Sequence, residues 1–387
     1  MKKFFKSLIF KLLVAVAIGF VIGFISTEPV INVINTIKYV LGQIIFFAVP
    51  LIIIGFIAPA IAQLRNNASK LLGYALLIAY LSSIGAAFMA TFGGYAIIPK
   101  LNIVNNSGGV KELPEMIFKL EIPPVMSVMS ALLFSILIGL ATAWTKSELT
   151  EKLLVEFKDI ILAIVNKVVI PIIPIYTAST FATLAYQGSI TTQLPIFLKA
   201  IVIIIIGHFI WLAVLYLIAG AISGKNPARV FKYYGPAYLT AIGTMSSAAT
   251  LPVALDCAKK SDVLRDDITD FTIPLCANIH LCGSALTITF VVMTVSQILY
   301  GKMPSVSTMV LFVLLLGIFA IGAPGVPGGA VMASLGIVTG VLGFDDAGVA
   351  LLITLYTLQD SFGTACNVTG DGAIALMLTA IADKKGM

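Results

Sequence analysis

Charge is what this chain has least of. Only 11% of its 387 residues are Asp, Glu, Lys or Arg, against about a quarter in an ordinary soluble domain. That scarcity excludes a globular cytoplasmic protein. Cysteine is sparse as well: Cys257, Cys276, Cys282 and Cys366 lie in apolar or hairpin segments with no C-x-x-C spacing, which argues against disulfides and a zinc site. Tryptophan occurs twice and carries no site signal; Trp144, beside Lys146, suits an interfacial anchor. Basic residues exceed acidic ones, 24 to 18, yet they sit singly or in pairs between apolar runs. No block exists to follow a phosphate backbone, so nucleic acid is not an expected partner.

What is present in excess is apolar surface. Hydrophobic residues make up 59% of the chain and mean hydropathy is +1.06. Runs such as 200–221 are long enough to cross hydrocarbon. Backbone polar groups in lipid must pair internally, so these runs imply helices. The expected fold is therefore an all-α integral membrane protein, surrounded by lipid, at the cell membrane. Spans are expected at 8–26, 36–63, 70–98, 116–144, 152–185 and 193–221. Lys2, Lys3, Lys6 and Lys11 precede the first apolar stretch, and no Ala-x-Ala-like site closes it, so it reads as a span rather than a signal peptide. Residues 99–115, with Asn105, Asn106, Ser107, Gly108 and Gly109, read as an exposed loop. Lys2 to Lys11, Arg65 with Lys70, Lys146 with Lys152 and Lys158, and Lys225 with Arg229 and Lys232 fall at alternate ends of these spans. The positive-inside rule places them in the cytoplasm, with Lys100 and Lys111 a mild exception.

After residue 225 the regularity breaks. Residues 234–260 begin and end beside basic residues, with Gly243-Thr244-Met245-Ser246-Ser247 and Pro252 in the middle. Neither half reaches the ~20 residues of a span, so the segment reads as a re-entrant hairpin. A span over 268–298 follows, carrying Asn278, His280, Cys282, Gly283 and Ser284. The grammar then repeats. Residues 306–344 have two apolar arms around the glycines and prolines of 322–329, followed by a span at 346–382, also with polar residues in its middle. Lys384 and Lys385 put the C-terminus in the cytoplasm with the N-terminus. Two hairpin-plus-helix units of opposite orientation form an inverted repeat, and interrupted segments at matching places point to a substrate site.

Asp360, Thr364, Asn367 and Asp371 fall at steps of four, three and four, one stripe of a helix. Each buried acid costs about 2.5–3.5 kcal/mol on insertion scales, so the stripe is expected to face a cavity, a partner or an ion. A polar helix–helix seam is the plainer alternative. At the first tip, Ser247 is expected to cap a half-helix whose free N–H groups attract a carboxylate. The broken second tip offers carbonyls for a cation or a lid over a ligand, and Asp360 offers an acceptor for an ammonium. One anion-seeking end and one acid suit a zwitterion. His280 reads equally as a proton relay or as a satisfied interhelical histidine, and His208 as a packing or seam residue.

At these residues the sequence resembles the dicarboxylate/amino-acid:cation symporter family, the glutamate-transporter family. The matching stretches are Ser246-Ser-Ala-Ala-Thr-Leu-Pro-Val253, Ile273-Pro-Leu-Cys-Ala-Asn-Ile279, Gly325-Val-Pro-Gly328 and Asn367-Val-Thr-Gly-Asp371. The resemblance implies eight transmembrane helices, two re-entrant hairpins and elevator-type alternating access in a homotrimer. Helices 1–2 (1–68) and 4–5 (115–190) would form the scaffold. The moving transport domain would comprise helix 3 (69–100), helix 6 (191–222), hairpin 1 with helix 7 (226–298) and hairpin 2 with helix 8 (303–383).

Carried over by position, Ser247 resembles the α-carboxylate ligand, Asp360 the amino-group acceptor and Asn367 a second substrate contact. Ser246, Ser284, Val326, Gly328 and Thr364 belong to the same site. Asp371 and the backbone around Asn278 and Asn367 resemble a sodium site. Where members that take acidic amino acids carry arginine, this chain has Gly363 in the last helix or Met245 at the first tip. An unpaired buried carboxylate is expensive, so the resemblance, closest to the serine/threonine branch, implies symport of a small neutral amino acid such as serine, threonine or alanine. The alternative is an acidic amino acid or dicarboxylate. No cofactor is expected beyond the coupling ion. The helix motif Asn-Met-Asp-Gly-Thr reads here His280-Leu-Cys282-Gly283-Ser284, and an acid one turn before Asp360 is replaced by Tyr356. These losses imply that sodium coupling is reduced, or replaced by protons on His280 or Asp371. Two other classes remain: a passive channel, and an intramembrane hydrolase using Ser246 or Ser247 with His280, for which no acid is obviously placed to orient the histidine.

Overall fold

The architecture, taken from a computed structural model, is described for residues 8–63, 70–101, 113–188 and 190–386. The expectations for Lys2, Lys3, Lys6, Arg65, the 105–109 loop and Lys111 lie outside these residues. Every regular element described is helical. In chain order the helices are α1 (Leu8–Ile25), α2 (Glu28–Gln63), α3 (Lys70–Ile97), α4 (Val128–Thr145), α5 (Glu148–Ile164) and α6 (Ile170–Tyr186). The series continues with α7 (Ile190–Ser223), α8 (Gly235–Thr244), α9 (Ser247–Lys259), α10 (Asp266–Ile279), α11 (Cys282–Tyr300), α12 (Val306–Gly322), α13 (Gly329–Leu342) and α14 (Asp346–Lys385). A single wide π-type turn at Val165–Val169 joins α5 to α6.

Six of these stretches are long and apolar enough to cross a membrane, with α5–α6 and α10–α11 each counted as one. Their outer faces carry large apolar side chains, among them Phe92, Leu153, Val202 and Leu217, each more than half exposed. Such surface suits hydrocarbon rather than water. Trp144 is 72% exposed beside Lys146, as an interfacial anchor requires.

Several boundaries depart from the sequence expectations. The second helix starts at Glu28 rather than 36, because Pro29 in its first turn is compatible with a helix start. The stretch 116–144 is not one span: Pro123 and Pro124 break it, and α4 begins at Val128, capped by the Ser127 hydroxyl. The preceding residues run irregularly along α2. Asn35 donates to the Pro114 carbonyl, while Thr36 and Gln43 accept from the Ile117 and Ile122 N–H groups. These bonds satisfy backbone groups that no helix serves. The segment read as a span over 268–298 is two helices broken at His280–Leu281. The last helix, in contrast, is unbroken over forty residues despite its polar middle.

The helices pack in two groups. One joins α1 with α6 and α2 with α4, α5 and α6. The other joins α3, α7 and α10 through α11 and α14, with the α8–α9 hairpin laid on α10 and α14. The α12–α13 hairpin packs on α3 and also reaches α2 and α4 of the first group. At one end of the second group Arg265 pairs with Asp267 (2.6 Å) and Asp383 (3.1 Å), and Lys225 pairs with Asp383 (3.6 Å). Both carboxylates raise the Arg265 guanidinium above its already high ordinary pKa. The group is thereby tied together from α7 through to the end of α14.

A candidate ligand pocket between two hairpin tips

The pocket is built from helix ends. In hairpin 1, Met245 adopts a left-handed conformation (φ 53°) that stops α8, and Ser246 turns extended to start α9. Ser246, not Ser247, is the N-cap: its Oγ accepts from the Ala249 N–H at 3.2 Å. Capping needs the non-helical residue, and Ser247 is already inside α9. In hairpin 2 the chain leaves α12 at Ala323, crosses Pro324 to Pro327, and enters α13 after Gly328, whose φ of 75° suits glycine. The tips touch. Ser246 Oγ donates to the Gly325 carbonyl at 2.6 Å, and the Ala248 N–H reaches the same oxygen at 3.3 Å.

Facing the tips is α14. The stripe foreseen in the sequence is real: Asp360, Thr364, Asn367 and Asp371 are all buried. Asp360 Oδ2 accepts from the Gly328 N–H at 2.6 Å, and Oδ1 accepts from Tyr356 Oη at 2.9 Å and from Thr364 Oγ1 at 3.4 Å. Asn367 has a different task. Leu281 cannot cap α11, so Asn367 Oδ1 accepts from the Gly283 and Ser284 N–H groups at 2.7 and 3.2 Å, and its Nδ2 donates to Ser284 Oγ at 2.9 Å. A side chain from α14 therefore satisfies the free donors of the helix break.

One small pocket, about 10 Å³, gathers Met245, Ser247, Ser284, Val326, Asp360, Thr364 and Asn367 from the expected site. Leu281, Pro324, Gly325, Ala330 and Tyr356 line it too, none of them foreseen as site residues. Tyr356 left a trace in the sequence as the place of a missing acid, and Pro324 and Gly325 as part of the broken second tip. The pocket is tight because the tips meet over it. Behind them lies a cavity of about 440 Å³ between the two helix groups, sharing Pro324, Gly325 and Val326 with the pocket and bordered by Lys158, Asp159 and Asn278.

The remaining expected residues separate into other groups. Asn278 is exposed and its Nδ2 donates to the Pro274 carbonyl of its own helix, so its side chain does not join Asn367 or Asp371. Asp371 instead pairs with His280: Oδ1 lies 2.8 Å from Nδ1, and His280 Nε2 lies 2.9 Å from Ser82 Oγ of α3. An acid does orient His280, contrary to expectation, but the serine it meets is Ser82 and neither tip serine. Among the described residues no cluster of His, Cys, Asp and Glu has the geometry to hold a metal ion. His208 is a seam residue, bonding Thr287 Oγ1 (2.9 Å) and the Gly283 carbonyl (3.1 Å) across to α11. An ideal Cβ at Gly363 would lie 3.5 Å from the Ser284 N and Thr287 Oγ1.

A buried acid between two broken hairpins, inside a helical bundle sheathed in apolar side chains, is transporter geometry. Residues 8–381 match the sequence profile of the sodium:dicarboxylate symporter family. The chain belongs to that family. Members of this family are transporters, not enzymes, and the apolar spans mark a multi-pass membrane protein, so the hydrolase reading is set aside. Similar proteins include human excitatory amino acid transporter 2, 30% identical over 275 residues, which cover 68% of this chain and 47% of that protein. The mouse protein of the same name is 29% identical over 71% of this chain and 48% of its own. The chain thus spans about half the length of these relatives. The serine/threonine transporter SstT of Acinetobacter baylyi is 26% identical over 94% of this chain and 95% of its own.

Proposed function

We propose that this symporter carries a small neutral amino acid, with serine, threonine and alanine the leading substrates. The observation that carries the reading is Asp360, buried beneath two hairpin tips in a pocket with no Lys or Arg among its lining residues. An α-ammonium compensates the acid, and the N-terminal end of α9 at Ser246–Ser247 suits the α-carboxylate. A second carboxylate on the ligand would lie buried without a cation. The acidic alternative keeps one supporting observation, the likeness to relatives named excitatory amino acid transporters.

The proposal extends to the cycle. Residues 1–68 and 115–190 act as scaffold of a homotrimer with both termini cytoplasmic. The segments 69–100, 191–222, 226–298 and 303–383 move as an elevator, eight membrane helices and two re-entrant hairpins in all. Mutual packing within each helix group supports this division. Sodium, the ion in the family's name, is retained in reduced number or replaced by protons at His280 and Asp371. The imidazole 2.8 Å from Asp371 Oδ1 supports that reading, because it gives the buried acid a titratable partner.

The test is uptake into sealed vesicles with sodium and proton gradients imposed separately. The panel is serine, threonine, alanine, methionine, aspartate and glutamate. Saturable, gradient-driven accumulation of a neutral amino acid is expected. Accumulation of aspartate alone overturns the substrate, and conduction without saturation or competition restores the channel.

A further inference from the structure

Two hydrogen-bonded groups line the pocket, and the direction of each follows from its ends. Asn367 Oδ1 accepts from two backbone N–H groups, so the amide orientation is fixed and Nδ2 must donate to Ser284 Oγ. In the second group the Asp360 carboxylate accepts, so Tyr356 spends its one proton on Oδ1 at 2.9 Å. The Thr364 hydroxyl adds a second, longer donor to the same oxygen at 3.4 Å, so Tyr356 and Thr364 form one donor pair on Oδ1.

Its effect is to make the two oxygens of Asp360 unequal. Oδ1 is filled by Tyr356 and, more weakly, Thr364. Oδ2 faces the tip and accepts from the Gly328 N–H. Only Oδ2 is open to exchange between the tip and a ligand, and it is offered strictly as an acceptor. Tyr356 is fully buried, one helical turn from Asp360.

We propose that Tyr356 is the positioning residue that sets specificity at the amino-group subsite, holding Asp360 so that a primary ammonium at Oδ2 is preferred over an uncharged donor. This rests on the neutral amino-acid reading and adds to it the group that enforces the choice. An α-hydroxy acid of the same side chain presents a neutral hydroxyl at the same point. It gains little from a carboxylate held in this way, because hydrogen bonds between charged partners are the strong ones.

The test uses the full-length protein in liposomes, with alanine as substrate and lactate as competitor. Tyr356→Phe removes the hydroxyl and leaves Oδ1 only the longer Thr364 contact. The KM for alanine is expected to rise about tenfold with maximal rate within about twofold, while the inhibition constant of lactate stays within about twofold. Thr364→Val, which removes the weaker donor to Oδ1, is expected to shift the alanine-to-lactate ratio in the same direction by a smaller factor. Thr364→Ser, which keeps the hydroxyl, restores the wild-type ratio. Equal weakening of both ligands in Tyr356→Phe and Thr364→Val reduces Tyr356 to packing and overturns the inference, as does an unchanged alanine KM. A wild-type protein that takes up alanine while the variants leave the ratio unmoved sinks this inference alone; no neutral amino-acid uptake by the wild type sinks it together with the proposed function.

Discussion

The Gly328 N–H and Asp360 Oδ2 meet at 2.6 Å, although 32 residues separate them in the chain. The left-handed glycine that opens α13 aims a free helix-end donor at the acid in the middle of α14. Hairpin 2 is thereby latched onto the residue that the proposed function assigns to the ammonium. In the proposed function the ligand's ammonium and the Gly328 N–H then compete for the same oxygen.

Asp360→Asn is the first consequence. The amide keeps the shape and loses the charge, so it cannot compensate an ammonium. Neutral amino-acid binding is expected to fall by about a hundredfold, in line with loss of one partner of a buried charge pair. Equilibrium binding to the purified variant measures it, and retained affinity removes Asp360 from the amino-group site.

Ser246→Ala takes away a cap and a tie in one substitution. The α9 N-terminus loses an acceptor and the Gly325 carbonyl loses its 2.6 Å donor. Loss of a cap typically costs about 1 kcal/mol. A lower midpoint of thermal unfolding is expected, together with easier cross-linking access to the pocket in the absence of substrate. The same change at Ser247 is expected to leave the unfolding midpoint nearly unchanged, since Ser247 does not cap.

Asp371→Asn and His280→Gln address coupling. Each breaks the 2.8 Å contact between α10's end and α14. If the pair carries the coupling charge, uptake driven by a proton gradient is lost in both variants while exchange of substrate across the membrane survives. A dependence on sodium and on pH identical to wild type in both variants excludes the pair from coupling.

Gly283→Ala tests the close approach of α11 and α14. A Cβ at Gly283 would sit 2.5 Å from the Cys366 Cβ, well inside contact distance, and α14 is buried on all sides there. Overpacking of this kind costs about 1–3 kcal/mol. The expected result is a lower unfolding temperature with impaired capping by Asn367. An unchanged midpoint would mean that the two helices are free to separate.

Gly363→Arg asks whether one residue separates neutral from acidic cargo. An added side chain starts in ordinary contact with Ser284 and Thr287, so the position admits one without an immediate clash. The guanidinium is expected to weaken alanine uptake and to make aspartate a competitor. Aspartate without effect on the folded variant shows that Gly363 does not face the ligand.

The low charge, the long apolar runs and the two polar-tipped segments were legible in the sequence because each is a local pattern, set by period and composition. So was the α14 stripe, since steps of four, three and four fix one face whatever the surroundings. Tertiary structure alone decided what that stripe touches. Asn367, read as a ligand contact, lines the pocket and also caps α11, because the α10–α11 break at His280–Leu281 leaves N–H donors whose acceptor comes from a neighbouring helix. Asp371 was read as an ion ligand and meets His280 and, through it, Ser82, a residue of α3 that lies 198 positions from His280. The extended start of the 116–144 stretch likewise depends on Asn35, Thr36 and Gln43 being there to bond it. Periodicity determines which side chains share a face; which partner fills each buried donor and acceptor depends on contacts distant in sequence, and no local pattern records them.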